Sequence, residues 1–224
     1  MTSETWSGTL HLARDFALLH GRAGTTAAHA HYAHQLLLSD DAPIEIAIDG
    51  RRLAGTRLLI RSQQAHAIVS APAALHVIYA EPLRLDAATL DAIAPPPDSA
   101  ALLGTLQALP RRAPVDARID DALAEIDAML SGKVDAGALA GRVRLSLSQL
   151  ERLFSAQVGL SVRRLVRWRR LRLALQLALT GRALTVAAHD AGFADSAHFS
   201  RVMRELFGVR ADRTLAGLHV EFVS

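Results

Sequence analysis

The hydrophobic pattern of the chain changes period near its middle. In PIEIAIDG, Ile44, Ile46 and Ile48 alternate with Glu45, Ala47 and Asp49, which gives a strand one buried and one wet face, and Asp49-Gly50 then supplies a hairpin turn. HQLLLS, TRLLIRS, HAIVSA and ALHVIYA are further short apolar runs, so residues 31–82 predict several strands at the spacing of a small barrel or sandwich. Residues 86–109 turn helical, interrupted by Pro95, Pro96 and Pro97, and the proline-flanked residues 110–114 break the chain. The boundary is placed there: residues 1–110 as a β-rich domain with helices near 86–109, residues 111–224 as a helical domain.

After the boundary the period is helical almost to the end. Ile119, Leu123, Ile126 and Leu130 form one amphipathic stripe stopped at Gly132, and Leu139, Ala140 and Val143 mark a short second helix. Ser146 can cap a third helix, with Gln149 at the capping-box position; Leu150, Leu153, Phe154 and Val158 are its buried stripe and Gly159 its stop. A long helix over about 161–180 closes at Gly181, and a short one carries Leu184, Ala187, Ala188 and Ala191 to Gly192. Asp195 caps the last, whose apolar residues are Phe199, Val202, Met203, Leu206 and Phe207, with Gly208 as its stop.

Two parts of this half repeat one another. Leu150-x-Arg152-Leu153-Phe154 and Phe199-x-Arg201-Val202-Met203 stand 49 residues apart, each followed by a Gly, whereas Ala140-x-x-Val143 and Ala188-x-x-Ala191 stand 48 apart, so the second copy has one extra residue in its turn. A short helix, a tight turn and a longer capped helix make a helix-turn-helix. The long helix between the copies would span ~30 Å, close to the ~34 Å between successive major grooves on one face of DNA. An all-helical bundle whose duplication has no DNA role is the bland alternative.

Charge strengthens the DNA reading. The net charge of +3 divides into 7 basic and 10 acidic residues up to position 110, and 18 basic and 12 acidic after it. Nine arginines lie between Arg142 and Arg172 against one acid, Glu151, and Lys133 is the single lysine. A basic stretch of this kind is a polyanion candidate, although such stretches also serve as solvated faces. The chain has no cysteine, which excludes disulfides and thiolate chemistry and fits a reducing cytoplasm. It has no signal-like N-terminus and no apolar run near the ~20 residues that span a bilayer, so a soluble cytoplasmic protein with no membrane partner is expected.

The stretch from Leu139 to Val209 resembles the DNA-binding domain of AraC-type bacterial transcription regulators. The matching residues are Leu145-Ser146-x-x-x-Leu150-x-Arg152-x-Phe154, Gly159-x-Ser161, Arg170-Leu171-x-x-Ala174 and Gly192-Phe193-x-Asp195-Ser196-x-x-Phe199-Ser200-Arg201. The likeness covers roughly residues 115–217. It departs where the family has Ser-Pro and this chain Ser161-Val162, where an aromatic is replaced by Leu165, Thr-Pro by Arg210-Ala211, and Ile by Ala187. The resemblance implies base-reading positions at Ser148, Gln149, Glu151 and Arg152 in the first recognition helix, and at Ser196, Ala197, His198, Ser200 and Arg201 in the second. Arg152 can donate two bonds to guanine O6 and N7, and Glu151 can accept from cytosine N4 or simply pair with a neighbouring arginine. Arg163 is a phosphate-contact candidate, and Trp168 reads as packed core rather than a stacking platform.

The family's N-terminal domain is often a cupin-like barrel that receives a small molecule and helps dimerise the protein, and residues 20–82 are similar to it in pattern. His29-Ala-His31-Tyr-Ala-His34 is the notable cluster, since His-x-His opens the cupin metal motif. The Glu that should follow is absent, and His66 is the fair candidate for a later ligand. Ordinary polar or core histidines are therefore expected, with no metal and no cofactor. No phosphate loop, nucleophile elbow or carboxylate pair supports catalysis. The expected protein is thus an α+β, two-domain regulator and not an enzyme: a cupin-like barrel or sandwich, then an all-α domain with two helix-turn-helix motifs joined by a long linker helix. Its expected partners are double-stranded DNA, a small-molecule effector, a second copy in a homodimer held through residues 86–109, and RNA polymerase. A cupin-like metal-dependent enzyme, or an adaptor that has lost DNA binding, are the alternatives.

Overall fold

The computed structural model describes residues 5–94 and 98–223, so the predicted interruption at Pro95, Pro96 and Pro97 lies outside the described residues. The chain divides into two units: Met1–Arg112 together with Val202–Ser224, and Ala113–Arg201.

The strands of the first unit are β1 (Ser7–Leu12), β2 (Phe16–Arg22), β3 (His34–Leu38), β4 (Ile44–Ile48), β5 (Arg51–Gly55), β6 (Arg57–Ile60), β7 (His66–Ser70), β8 (Leu75–Ala80) and, from the far end of the chain, β9 (Leu218–Phe222). They form a sheet of order β6-β3-β8-β2-β1-β9 and a second of order β5-β4-β7. The predicted hairpin is present: Ile48 pairs with Arg51, and the turn residues Asp49 (φ 48) and Gly50 (φ 80) both take left-handed backbone, the pairing whose twist matches that of the flanking strands.

Helices α1 (Ala87–Asp91) and α2 (Ser99–Ala108) cover one face of the large sheet, as Leu90, Leu102 and Leu106 pack with Phe16, Leu18, Leu36, Leu38, Ile78 and Ala80. Gln35, Leu37, Val77 and Tyr79 alternate with these and point to the other face. Both faces being covered is why HQLLL and LHVIYA read as continuous apolar runs. Arg111 then fastens the end of α2: its guanidinium binds the Asp15 carboxylate at 2.8 Å and the carbonyls of Leu106 and Leu109 at 2.8 and 2.5 Å.

Three strands depart from the sequence reading. β1 and β2 precede the predicted strand region, and β9 lies in a stretch expected to close the helical domain. β9 pairs in parallel with the outer edge of β1, Leu10 opposite Val220, after the short α9 (Ala211–Thr214) and a 3-10 turn at Leu215–Gly217. Residues 202–224 therefore belong with the β-rich unit, which a single cut after residue 110 does not anticipate. The reason is long-range: an open sheet edge takes up a strand from wherever in the chain it can be supplied.

The second unit contains α3 (Arg118–Ala128), α4 (Ala136–Arg142), α5 (Leu147–Leu153), α6 (Val162–Leu179), α7 (Leu184–Asp190) and the first half of α8 (Ser196–Phe207). The predicted stripes are buried, Ile119, Leu123 and Ile126 on α3 and Leu139 and Ala140 on α4; on α6 the buried residues include Leu165, Trp168 and Leu171. Trp168 is core, as expected. Among the described residues no helix is long and apolar enough to cross a membrane.

Candidate nucleic-acid interface

The two halves of the repeat are built from the same hydrogen bonds. In the first turn Leu145 N donates to Ala140 O at 2.9 Å; 48 residues on, Phe193 N donates to Ala188 O at 3.0 Å. Arg144 (φ 56) and Gly192 (φ 81) occupy the equivalent left-handed position. Beyond the turn the offset grows to 49, because Ala194 is the extra residue. Ser146 Oγ accepts from Gln149 N at 3.3 Å and Asp195 Oδ1 from His198 N at 2.5 Å, so each second helix begins on a side-chain cap. In the first motif the second helix continues past α5 into a π turn, Phe154–Val158, in which Gly159 N donates to Phe154 O.

The expected reading residues sort by what else they do. Ser148, Gln149, Glu151 and Arg152 are all exposed on α5, opposite the buried Leu150 and Phe154. Gln149 closes the capping box, its Oε1 accepting from Ser146 N at 2.9 Å, and Ser148 Oγ lies 3.3 Å from Ser146 Oγ. On α8, Ala197 and Arg201 are exposed. Ser200 donates back to Ser196 O at 2.8 Å, and the half-buried His198 ring sits edge-on to Phe193, centroids 5.2 Å apart. Among the described residues no ion pair or hydrogen bond engages the side chains of Glu151, Arg152, Arg163 or Arg201.

Several other arginines are structural. Arg142 pairs with Glu125 at 2.7 Å and Arg169 with Asp127 at 3.3 Å, while Arg170 donates to the carbonyls of Leu130 and Gly132 at 3.0 and 2.5 Å. The sequence shows nine arginines alike, and the tertiary contacts separate staples from free cations. A cleft of about 990 Å³ in this unit is lined by Lys133, Arg163, Arg164, Arg167 and His198 among others, a positively charged concavity beside the start of α8.

A second cluster lies in the first unit. Ligand atoms of His29, His31 and His66 lie within 4.8 Å of one another, all three residues buried. His29 forms an isolated bridge with His66, and His31 lies outside the strands, so their rings meet through loop geometry rather than on one face of a strand. Burial and the neighbouring His66 hold His29 down to about 4; burial, His66 and His29 hold His31 down to about 3, and burial lowers His66. His34 stands apart, its Nδ1 accepting from Ser62 N at 2.9 Å.

Residues 139–216 match the family model described as a helix-turn-helix domain. The paired motifs above are the two helix-turn-helix units of this matched stretch. In three dimensions the chain is similar to apo ToxT from Vibrio cholerae, with 12% identity, a TM-score of 0.61, and 92% of this chain covering 98% of that one. It is similar to the same protein bound to an unsaturated fatty acid, with 12% identity, a TM-score of 0.58, and 88% covering 93%. These likenesses establish the two-domain α+β fold. An AraC-type transcriptional regulator from Chromobacterium violaceum matches at 26% identity and a TM-score of 0.42, over 44% of this chain and 89% of that one. No curated protein matches.

Proposed function

We propose that the protein is a cytoplasmic, sequence-specific regulator of transcription whose two helix-turn-helix motifs read successive major grooves of one site. The observation that carries this is the duplicated turn. Two motifs with the same hydrogen bonds present exposed arginines, Arg152 and Arg201, unpaired among the described residues, at either end of the 18-residue α6. A helix of that length spans ~27 Å, within reach of the ~34 Å groove repeat once each motif's own width is added. Ser148, Glu151 and Arg152 then face bases in one groove, Ala197 and Arg201 in the next, and Arg163 meets phosphate. In this reading the first unit receives a small-molecule effector and forms a homodimer through the outer faces of α1 and α2, and the bound regulator contacts RNA polymerase.

The test is fluorescence anisotropy of the full chain on duplex DNA over a salt series. Each phosphate contact should contribute about −0.9 to the slope of log K against log salt. A flat response, or equal affinity for every duplex in a randomised pool, overturns the proposal.

A further inference from the structure

The histidine cluster contains a conflict of lone pairs. At each ring Nδ1 stands against a backbone carbonyl oxygen: His29 on Ala27 at 2.8 Å, His31 on Ala33 at 2.9 Å and His66 on Gln64 at 2.8 Å. A neutral imidazole has one proton, and these carbonyls claim it for Nδ1, so each Nε2 is left as a bare lone pair. Two of those lone pairs meet a third acceptor. Gln35 Oε1 lies 3.2 Å from His31 Nε2 and 3.0 Å from His66 Nε2, while the Gln35 amide nitrogen donates to the Tyr79 hydroxyl at 3.3 Å.

Moving the protons does not resolve it, because a proton shifted to Nε2 strips the donor from the bond to the carbonyl. Doubly protonated rings would satisfy both sides, but burial and the other histidines oppose that charge. A cation among the acceptors removes the conflict. Imidazoles that donate Nδ1–H to a carbonyl and offer Nε2 have the outer hydrogen bonding that orients metal-ligating histidines. The separations of about 3 Å from Gln35 Oε1 are close to the ~3.4 Å edge of a tetrahedron with bonds of 2.0–2.1 Å. A ligand nitrogen of His29 lies within 4.8 Å of those of His31 and His66, and Phe207 packs on His31 and Tyr79 at 5.4 and 5.6 Å as an apolar wall.

We propose that His29, His31 and His66, with the side-chain oxygen of Gln35, hold one divalent transition-metal ion of the zinc class. The expectation of no metal rested on the missing Glu; Gln35 stands in the carboxylate's place with a neutral oxygen, and the site is built from four uncharged donors.

The alternative is an amide turned end for end, its NH2 donating to both Nε2 atoms and its oxygen accepting from Tyr79, which closes the network without an ion. Zinc titration by calorimetry on untagged, chelator-stripped full-length protein, with bound metal counted by mass spectrometry, separates the two. One zinc per chain is expected. His31→Gln and His66→Gln should each weaken binding by about 100-fold or more, with circular dichroism unchanged. Gln35→Glu supplies a charged oxygen and should tighten binding about tenfold, a gain that a purely structural glutamine would not produce. Cobalt in place of zinc should give the visible bands of a four-coordinate nitrogen and oxygen site. Substoichiometric zinc, affinity indifferent to His31→Gln, or a Gln35→Glu protein that folds and binds no tighter overturns the proposal; should the histidine variants misfold, the Gln35→Glu comparison decides alone.

Discussion

Arg144 and Gly192 take the same left-handed backbone in the two motifs, yet only one position has room for a side chain. A Cβ at Gly192 would stand 2.2 Å from Leu130 O and 2.8 Å from Arg170 Nε. Gly192→Ala should therefore cost more than ~2 kcal/mol in urea unfolding, while Arg144→Gly, which relieves a non-glycine left-handed residue, should be neutral or stabilising by about 1 kcal/mol. In the proposed complex with DNA, Arg152 is the residue with most to lose. Arg152→Ala should cost about 1–3 kcal/mol at the specific site and relax preference at one base, whereas Arg163→Ala should weaken all sequences alike and reduce the salt slope by about one. A uniform loss for Arg152→Ala across single-base variants would make it a phosphate clamp. The buried histidines predict an acid response. His29 and His31 titrate near 4 and 3 in the folded chain and near 6.5 when unfolded, so the unfolded state binds more protons between those values. Stability of the metal-free protein is complete above about pH 6.5 and should fall by several kcal/mol on the way to pH 4, read as a falling melting temperature. His31→Gln should flatten that dependence.

At the scale of elements, the helices were the most readable because their signals are local. Ser146 and Gln149 form the capping box their spacing predicts, and Ser146→Ala should cost about 1 kcal/mol of stability. The same bond occupies the Gln149 side-chain oxygen. The π turn after α5 was not legible; it keeps Gly159 as the stop while widening the last turn. Among the strands, β4 carries clean alternation and a two-residue turn and is read directly. β2 is not, since Leu18 and Leu19 are both buried, which hides the period of two. β1 lacks a buried side altogether, every residue being half-exposed, and is a strand because β2 and β9 flank it.

Across the whole molecule, β9 ties the end of the chain to β1, and Gly208 O accepts from Ala27 N at 2.9 Å just beyond α8. Ending the chain after residue 217 should lower the melting transition of the first unit while sparing that of residues 113–201, a difference calorimetry resolves. A single undisturbed transition would show β9 to be ornamental. What the sequence determined by itself were the features carried by neighbouring residues: helix periods, caps, the Asp49-Gly50 hairpin, and the repeat with its one-residue offset, all set within a few turns of chain. Tertiary structure alone decided the rest, because it depends on residues distant in sequence. It assigned residues 202–224 to the β-rich unit, divided the arginines into staples and free cations, and brought Gln35 to His31 and His66, where a glutamine in a run of apolar residues became the centre of a buried polar site.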